Sequence, residues 1–489
     1  MGGICSKKSQ NETHTRGQSG SDQSAAQNTL IGLGRRVSSK FNFRRSTTYD
    51  NVHNAVNILS LDKTAGLKGL QNSGNTCFMN SSLQCLSNTI PLTDYFLGFD
   101  YTTEINANNP LGTGGYLAKS YAKLMKRIWL ETSNNKNTSE RSIDPAWLRR
   151  DLSKYCSHLF SKQAYGQTQE DAHEFLAYFL DGIHEDLNRV PSHNKPYIDG
   201  LDLTPDITME AHAMIAWESY LKRNKSIIVD LFQGQLRNTM KCLKCQYERI
   251  GFDPFMYLSL PIPKQSSTDS VSLDDCLQLF LSEEHLSGND AWYCPKCKDH
   301  VEATKKFDIW MLPPILIIHL KRFEFQGNYH QKIDTRIDYR MTQWRLSLQA
   351  ASLDHNDSGQ DYFNFDLYAI AHHHGSGIYS GHYTAHCKNR FNDNWYHFND
   401  SVCNHIQSPQ SLKSLPSAYC LFYNRSAQTN VSQKTPKIFR QTLTRPDLWP
   451  HMQVGQNDTA DMVVDDQVPN ITKNNREECF RSYTRKSIV

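Results

Sequence analysis

Residues 69–86 read "GLQNSGNTCFMNSSLQCL". The first half, through Asn72 to Thr76, is small, polar and turn-forming. The second half carries Met79, Leu83 and Leu86 at helical spacing. Cys77 stands at the junction, where Asn75 or Thr76 is placed to cap the helix that follows. A thiol at a helix N-terminus feels the positive end of the dipole, and thiolate is the reactive form of cysteine. The stretch alone fits a buried structural cysteine, a metal ligand or a nucleophile. The rest of the chain has to decide between them.

The chain has 489 residues, enough for one large core or two to three domains. A hydrophobic content of 38% is low for a chain packed throughout, and polar ends account for the deficit. Residues 1–65 and 426–489 are polar, lack clear periodicity and read as disordered tails around a body at 66–425. Residues 1–49 hold eight Lys/Arg against two Asp/Glu, while the whole chain carries only +3. A basic tail is therefore joined to a mildly acidic body, with no bulk signal for nucleic acid. The N-terminus lacks the apolar segment of a secretory signal, and no run of about 18 apolar residues exists to span a bilayer. These features predict a cytoplasmic protein. Thirteen cysteines are too dilute for a small disulfide scaffold.

The body reads helical first and stranded later. Ala172, Phe175, Leu176 and Phe179 form a helical stripe within "TQEDAHEFLAYFLDGIHEDL". Ile315 to Ile318 follow Pro313-Pro314 and read as a buried strand, with His319, Lys321 and Arg322 as sheet-end and surface residues. "FNFDLYAIAHHHG", "NWYHFND" and "AYCLFYN" add aromatic strands, the triple histidine 372–374 reading as a strand end rather than a metal patch. The order predicts an α+β body.

Two C-x-x-C pairs, Cys242/Cys245 and Cys294/Cys297, are 48 residues apart. Each pair can present two thiolates to one tetrahedral Zn²⁺, and four thiolates leave no open position, so the expected zinc is structural. A redox pair or two unrelated pairs are the alternatives. Cys85, Cys156, Cys276, Cys387, Cys403 and Cys420 have no evident partners and read as core. For a nucleophilic Cys77, "YSGHYTAHCKN" offers His382 as base, and "WYHFND" offers Asn399 or Asp400 to orient its imidazole.

Four boxes now stand in order: "GLQNSGNTCFMNSSLQCL" (69–86), "QEDAHEFL" (169–176), "LPPILIIHLKRF" (312–323) and "YSGHYTAH…WYHFNDSVC" (379–403). Together with the cysteine pairs they resemble the ubiquitin-specific protease family across residues 66–425. The resemblance implies a papain-like cysteine peptidase with a helical thumb, a β-rich palm and zinc-bearing β fingers at about 235–310. It implies a thiol-dependent deubiquitinase that cleaves the (iso)peptide bond at the C-terminal glycine of ubiquitin through a thioester. Cys77 is then the nucleophile, His382 the base and later the acid, and Asn399 the third residue. Asn cannot stabilise an imidazolium by charge, which gives Asp400 a share of that role. The family pattern makes Asn72 the oxyanion donor, and Gln169, Asp171 and Glu174 the grip on the ubiquitin tail. On a helix, residues 171 and 174 share a face, so both carboxylates are expected to point at one cationic peptide. His173 reads as structural. A catalytically silent ubiquitin-binding scaffold and an enzyme for a ubiquitin-like modifier are the competing readings.

The ends carry separate signals. Met1-Gly2-Gly-Ile-Cys5-Ser6 fits the N-myristoylation pattern, with Cys5 available for palmitoylation. "LIGLGRRVSSKFNFRRS" (30–46) interleaves apolar and basic residues as a peripheral binder of anionic lipid does, and Ser38 is a phosphorylation candidate. The ending Ser487-Ile488-Val489 fits a PDZ ligand.

Overall fold

The helix that begins at Cys77 is enclosed on every side. The computed structural model describes residues 64–131, 141–160, 169–191, 207–264, 270–326, 329–347, 362–377 and 380–426. Gly2, Cys5, the basic segment 30–46 and the ending 487–489 lie outside the described residues. All eleven residues of the helix Cys77–Ser87 are buried, including five polar ones besides the thiols. A helix with no solvent face must satisfy its polar side chains internally. Ser82 Oγ donates to the Phe78 carbonyl at 2.8 Å, and Gln84 Nε2 donates to the Lys68 carbonyl at 2.9 Å.

Around this helix, the first half of the chain forms a helical layer of Ile90–Gly98, Tyr116–Trp129, Ala146–Tyr155, Ala172–Asp186 and Ile227–Phe232, while Met209–Leu221 packs against the strand Glu248–Phe255. The predicted stripe Ala172, Phe175, Leu176 and Phe179 is buried. The second half is stranded, with one further α-helix, Leu273–Leu281. An eight-stranded sheet runs in the order Val402–His405, Trp395–Asn399, Ser380–Lys388, Tyr362–Gly377, Ala418–Arg425, Ile315–Leu320 and Leu258–Leu260. Its eighth strand, Trp344–Ser347, pairs with the start of Tyr362–Gly377. Only the last pair in that order is parallel.

The run Ile315–Leu320 is apolar throughout because both faces of the sheet are covered. Ile315 and Ile317 enter the core shared with the helical layer, while Leu316, Ile318 and Leu320 enter a second core beneath the opposite face. A separate antiparallel sheet, in the order Glu248–Phe255, Gly234–Cys242, Ala303–Met311 and Glu284–Leu286, carries Cys242/Cys245, while Cys294/Cys297 lies on the two-stranded hairpin of Trp292–Cys294 and Asp299–Val301. The architecture is the α+β arrangement of thumb, palm and fingers that the resemblance implies.

Several expectations change. Arg322 is not a surface residue: it is fully buried, and its guanidinium donates to the carbonyls of Ala418 (2.6 Å), Ile333 (2.8 Å) and Thr335 (2.9 Å). A planar fork of five donors suits a point where two chain segments turn three carbonyls toward one another. His319 stacks on His173 with ring centroids 3.9 Å apart and bonds Ser259 Oγ at 3.0 Å, so it too is an interior contact. The histidines 372–374 lie within the strand Tyr362–Gly377, not at its tip, and His372 and His373 are fully buried. Burial holds His372 well below the ordinary histidine range and His373 down to about 3, so both rings are neutral. Cys85 and Cys387 are buried in the core, as expected of cysteines without an evident partner.

The Arg322 contacts make a stability prediction. Arg322→Met leaves three buried carbonyls without their donor and should cost on the order of 3 kcal/mol, read from the urea midpoint. Arg322→Lys should recover only part of this, because an ammonium cannot reproduce the fork. An unchanged midpoint in both variants would dismiss the guanidinium as a structural clamp.

Candidate active site

The turn before Cys77 is laid against the far end of the chain. Gly69 and Leu70 pair in parallel with Ser142 and Ile143, and Leu70 N–H donates to the Asp400 carbonyl at 2.8 Å. A Cβ on Gly69 would lie 2.3 Å from the Ser401 carbonyl, so only glycine permits this approach. The chain then reverses through two left-handed residues, Gly74 (φ 93°) and Asn75 (φ 51°).

The expected cap by Thr76 is not made, since its side chain bonds no first-turn amide. Asn72 closes the turn instead. Its Oδ1 accepts from Thr76 N–H at 2.9 Å and from Thr76 Oγ1 at 3.1 Å. The positive end of the helix falls at Cys77, which is buried.

Two adjacent strands bring the other groups. His382 belongs to Ser380–Lys388, and Asn399 ends Trp395–Asn399. His382 Nε2 lies 2.7 Å from Asn399 Oδ1 and 3.9 Å from Asp400 Oδ2. Interaction with Cys77 does most to push His382 up to about 9, against the opposing effect of burial, and the Asn399 bond and the Asp400 charge add to it.

Asp400 sits just past the strand in the left-handed region (φ 48°) and is a junction. Its Oδ2 accepts from Asn72 Nδ2 at 2.9 Å, and its Oδ1 accepts from Asn80 Nδ2 at 2.8 Å. Asn80 also donates to the carbonyls of Leu70 (3.3 Å) and Gln71 (3.2 Å). The sequence reading missed Asn80. Its signal was a polar residue one helical turn after Cys77, on a helix otherwise read through its apolar spacing.

The predicted tail-gripping residues do not act as one group. Gln169 is buried, with Nε2 3.2 Å from Cys77 Sγ, and so belongs with the thiol. Asp171 is the N-cap of Ala172–Asp186: Oδ1 accepts from the amides of His173 (2.6 Å) and Glu174 (3.3 Å), and Oδ2 from Tyr419 Oη at 2.5 Å. Glu174 alone of the three is exposed, 3.7 Å from His158 Nε2. The expected shared carboxylate face fails because residue 171 precedes the helix, and its side chain folds back onto the helix amides.

The four knuckle cysteines converge at the end of the finger sheet, all four sulfurs lying within 4.8 Å of one another. Cys242 and Cys297 sulfurs are 3.9 Å apart, and Cys245 and Cys294 sulfurs 3.7 Å. A tetrahedron of Zn–S bonds near 2.3 Å has edges of about 3.8 Å, so the donor set fits zinc in type and spacing. The two knuckles repeat one geometry. The amide of the second cysteine donates to the first sulfur (3.3 and 3.4 Å), and the next residue, Gln246 or Lys298, is left-handed.

A sequence model described as "Ubiquitin carboxyl-terminal hydrolase" matches residues 68–423. Ubiquitin carboxyl-terminal hydrolase 2 of Rattus norvegicus is 37% identical over 358 residues, covering 73% of this chain and 54% of the relative. Ubiquitin carboxyl-terminal hydrolase 4 of Saccharomyces cerevisiae (strain YJM789) is 34% identical over 374 residues, covering 73% and 39%. The chain thus spans about half the length of the rat protein or less of such relatives. A solved structure titled "Structure of the SAGA Ubp8/Sgf11/Sus1/Sgf73 DUB module bound to ubiquitin aldehyde" superposes with a TM-score of 0.55 at 26% identity, covering 76% of this chain and 72% of that one. By the extent of these matches, and with a thiol, an imidazole and an amide converging where the boxes anticipate them, the chain belongs to the ubiquitin carboxyl-terminal hydrolase family.

Proposed function

We propose that the chain is a thiol-dependent deubiquitinase acting on ubiquitin and ubiquitinated proteins through Cys77, His382, Asn399 and Asp400. The observation that carries this is the pairing of Cys77 with His382, the imidazole whose Nε2 is held by Asn399. With Nε2 so engaged, Nδ1 is left to face the sulfur. The Cys77 proton passes to His382, and the thiolate so formed attacks the carbonyl carbon of ubiquitin's terminal glycine. Charge develops on the carbonyl oxygen, where the second N–H of Asn72 Nδ2 and the first amides of the helix donate. As the tetrahedral intermediate collapses, the His382 proton passes to the leaving lysine amine and a thioester remains. His382 then takes a proton from water, whose oxygen attacks the thioester, and ubiquitin leaves with its carboxylate.

Asn399 and Asp400 divide the third role. Asn399 fixes the ring by a direct bond, and Asp400 supplies negative charge from 3.9 Å while anchoring Asn72. Gln169 steadies the sulfur, and exposed Glu174 is the carboxylate that meets the basic ubiquitin tail, with Asp171 shaping the helix behind it. The catalytic domain occupies 66–425. Cys242, Cys245, Cys294 and Cys297 hold a structural Zn²⁺ that cross-links two hairpins of the fingers. Gly2 and Cys5 carry lipid and hold a cytoplasmic enzyme peripherally on a membrane, and the C-terminus engages a PDZ domain. No helix among the described residues is long and apolar enough to cross a bilayer.

Ubiquitin bearing a C-terminal electrophile should label the full chain and not Cys77→Ala. Probes of ubiquitin-like modifiers should label it far more slowly. Absence of labelling by any probe would favour the silent scaffold. Asn72→Ala should lower kcat about a hundredfold to a thousandfold, as loss of an oxyanion donor does, with a smaller change in KM.

The raised His382 value sets a pH dependence. The folded state favours the imidazolium, so this stabilisation is complete below the ordinary value of 6.5 and is lost as pH rises through about 9. Isopeptide hydrolysis should fall over the same alkaline range as the proton donor is lost. Asn399→Ala should move that fall to lower pH, and a pH–rate profile with an unmoved alkaline limb would contradict the assignment.

Purified protein should contain one equivalent of zinc by elemental analysis. Cys294→Ser or strong chelation should release it and lower the unfolding temperature. Metal-free protein of undiminished thermal stability would refute a structural metal.

A further inference from the structure

The exposed side of the helices Tyr116–Trp129 and Ala146–Tyr155 carries a charge pattern that the chemistry above does not use. Lys119, Lys123 and Lys126 recur along one exposed face of the first helix, and none forms an ion pair among the described residues. Arg127 joins them, half-buried. On the second helix, half-buried Trp147 lies between the two cations nearest it, with Lys123 Nζ 5.0 Å and Arg127 Cζ 5.2 Å from its ring. Its indole N–H donates to the Ser120 carbonyl at 3.4 Å, which fixes the ring between the helices. Arg150 and Lys154 extend the face. Nearby acids are engaged: Asp151 lies 3.8 Å from both Arg150 and Lys154, and Glu131 holds Arg127 at 3.3 Å.

We infer that this face docks on a membrane surface rich in anionic lipid headgroups. Two further observations favour a bilayer over a soluble acidic partner. The lysines are point charges on flexible stems around an amphipathic indole, a combination suited to headgroup depth. The chain also enters the folded body here. Gly66 N–H donates to the Ile128 carbonyl at 3.2 Å, and Gly66 lies against the Trp129 ring. The preceding 63 residues, with their eight Lys/Arg against two acids in 1–49, therefore depart from the end of this basic helix. A tail held at a membrane brings the face to within a Debye length of it, about 8–10 Å at ordinary ionic strength. The inference rests on the proposed N-terminal attachment for its setting, but the face is testable without lipid on Gly2.

The test is cosedimentation of the full, unlipidated chain with phosphatidylcholine vesicles, with and without phosphatidylserine. Binding should require phosphatidylserine and weaken with salt. Each surface cation contributes about fivefold to partitioning, so Lys119→Gln/Lys123→Gln/Lys126→Gln should bind about a hundredfold more weakly. Its hydrolysis of a soluble ubiquitin substrate should be unchanged, which also reports an intact fold. A triple variant that binds like the parent overturns the inference, as does parent binding that ignores phosphatidylserine, or binding to nucleic acid or an acidic peptide but not to vesicles. A companion variant, Arg35→Gln/Arg36→Gln/Lys40→Gln, separates the two readings. If it binds normally while the lysine variant fails, the tail is excluded as a contact and the face stands.

Discussion

The Asp400 carboxylate is the constraint on which the site depends. One oxygen accepts from Asn72 and the other from Asn80, residues 328 and 320 positions away in the chain. The same residue's backbone carbonyl accepts from Leu70. These bonds lock the turn before Cys77, the first turn of its helix and the end of the strand Trp395–Asn399 into one unit. His382 lies on the neighbouring strand, so its distance from the sulfur follows from this lock. Charge-assisted hydrogen bonds are stronger than neutral ones, and two of them with a backbone bond at one residue leave little freedom. The left-handed backbone at Asp400 is the local strain that aims its carboxylate back at the helix.

The surrounding architecture keeps that unit rigid. The helix Cys77–Ser87 has no exposed residue, so it cannot shift without displacing both the helical layer and the sheet. The sheet is packed on both faces, with alternate residues of Ile315–Leu320 entering different cores. Arg322 gathers three carbonyls from two other segments at the end of that strand. The fingers stand apart as a four-stranded sheet, with the knuckle sulfurs clustered at its end. Helical layer, sheet and fingers thus carry separate devices: apolar burial, a buried guanidinium and a cluster of four cysteines whose spacing fits a metal.

Much of this was legible in the chain. Turn residues before an apolar helical pattern located Cys77 at a helix start. Pro313-Pro314 before four aliphatic residues marked a buried strand, and the C-x-x-C spacing marked the knuckles. What misled was context. Asp171 has helix-face spacing with Glu174, yet it precedes the helix and caps it. Arg322 follows a strand, where charge usually meets solvent, yet other segments close over it. Gln169 was grouped with the acids beside it, yet its amide turns to the sulfur.

The sequence by itself determined the chemical inventory and the local geometry: a thiol at a helix start, an imidazole in a strand, an amide and a carboxylate side by side, and two cysteine knuckles. Periodicity and turn chemistry act over a few residues, and that range suffices for these features. Only the tertiary structure decided which groups meet. It set Asn399 as the direct partner of His382, Asp400 as the tie between Asn72 and Asn80, and Asn72 rather than Thr76 as the residue that closes the turn. Those pairings join positions hundreds of residues apart. They depend on the register of one strand against another and on which side of the sheet the helix packs, and no local pattern in the chain encodes either.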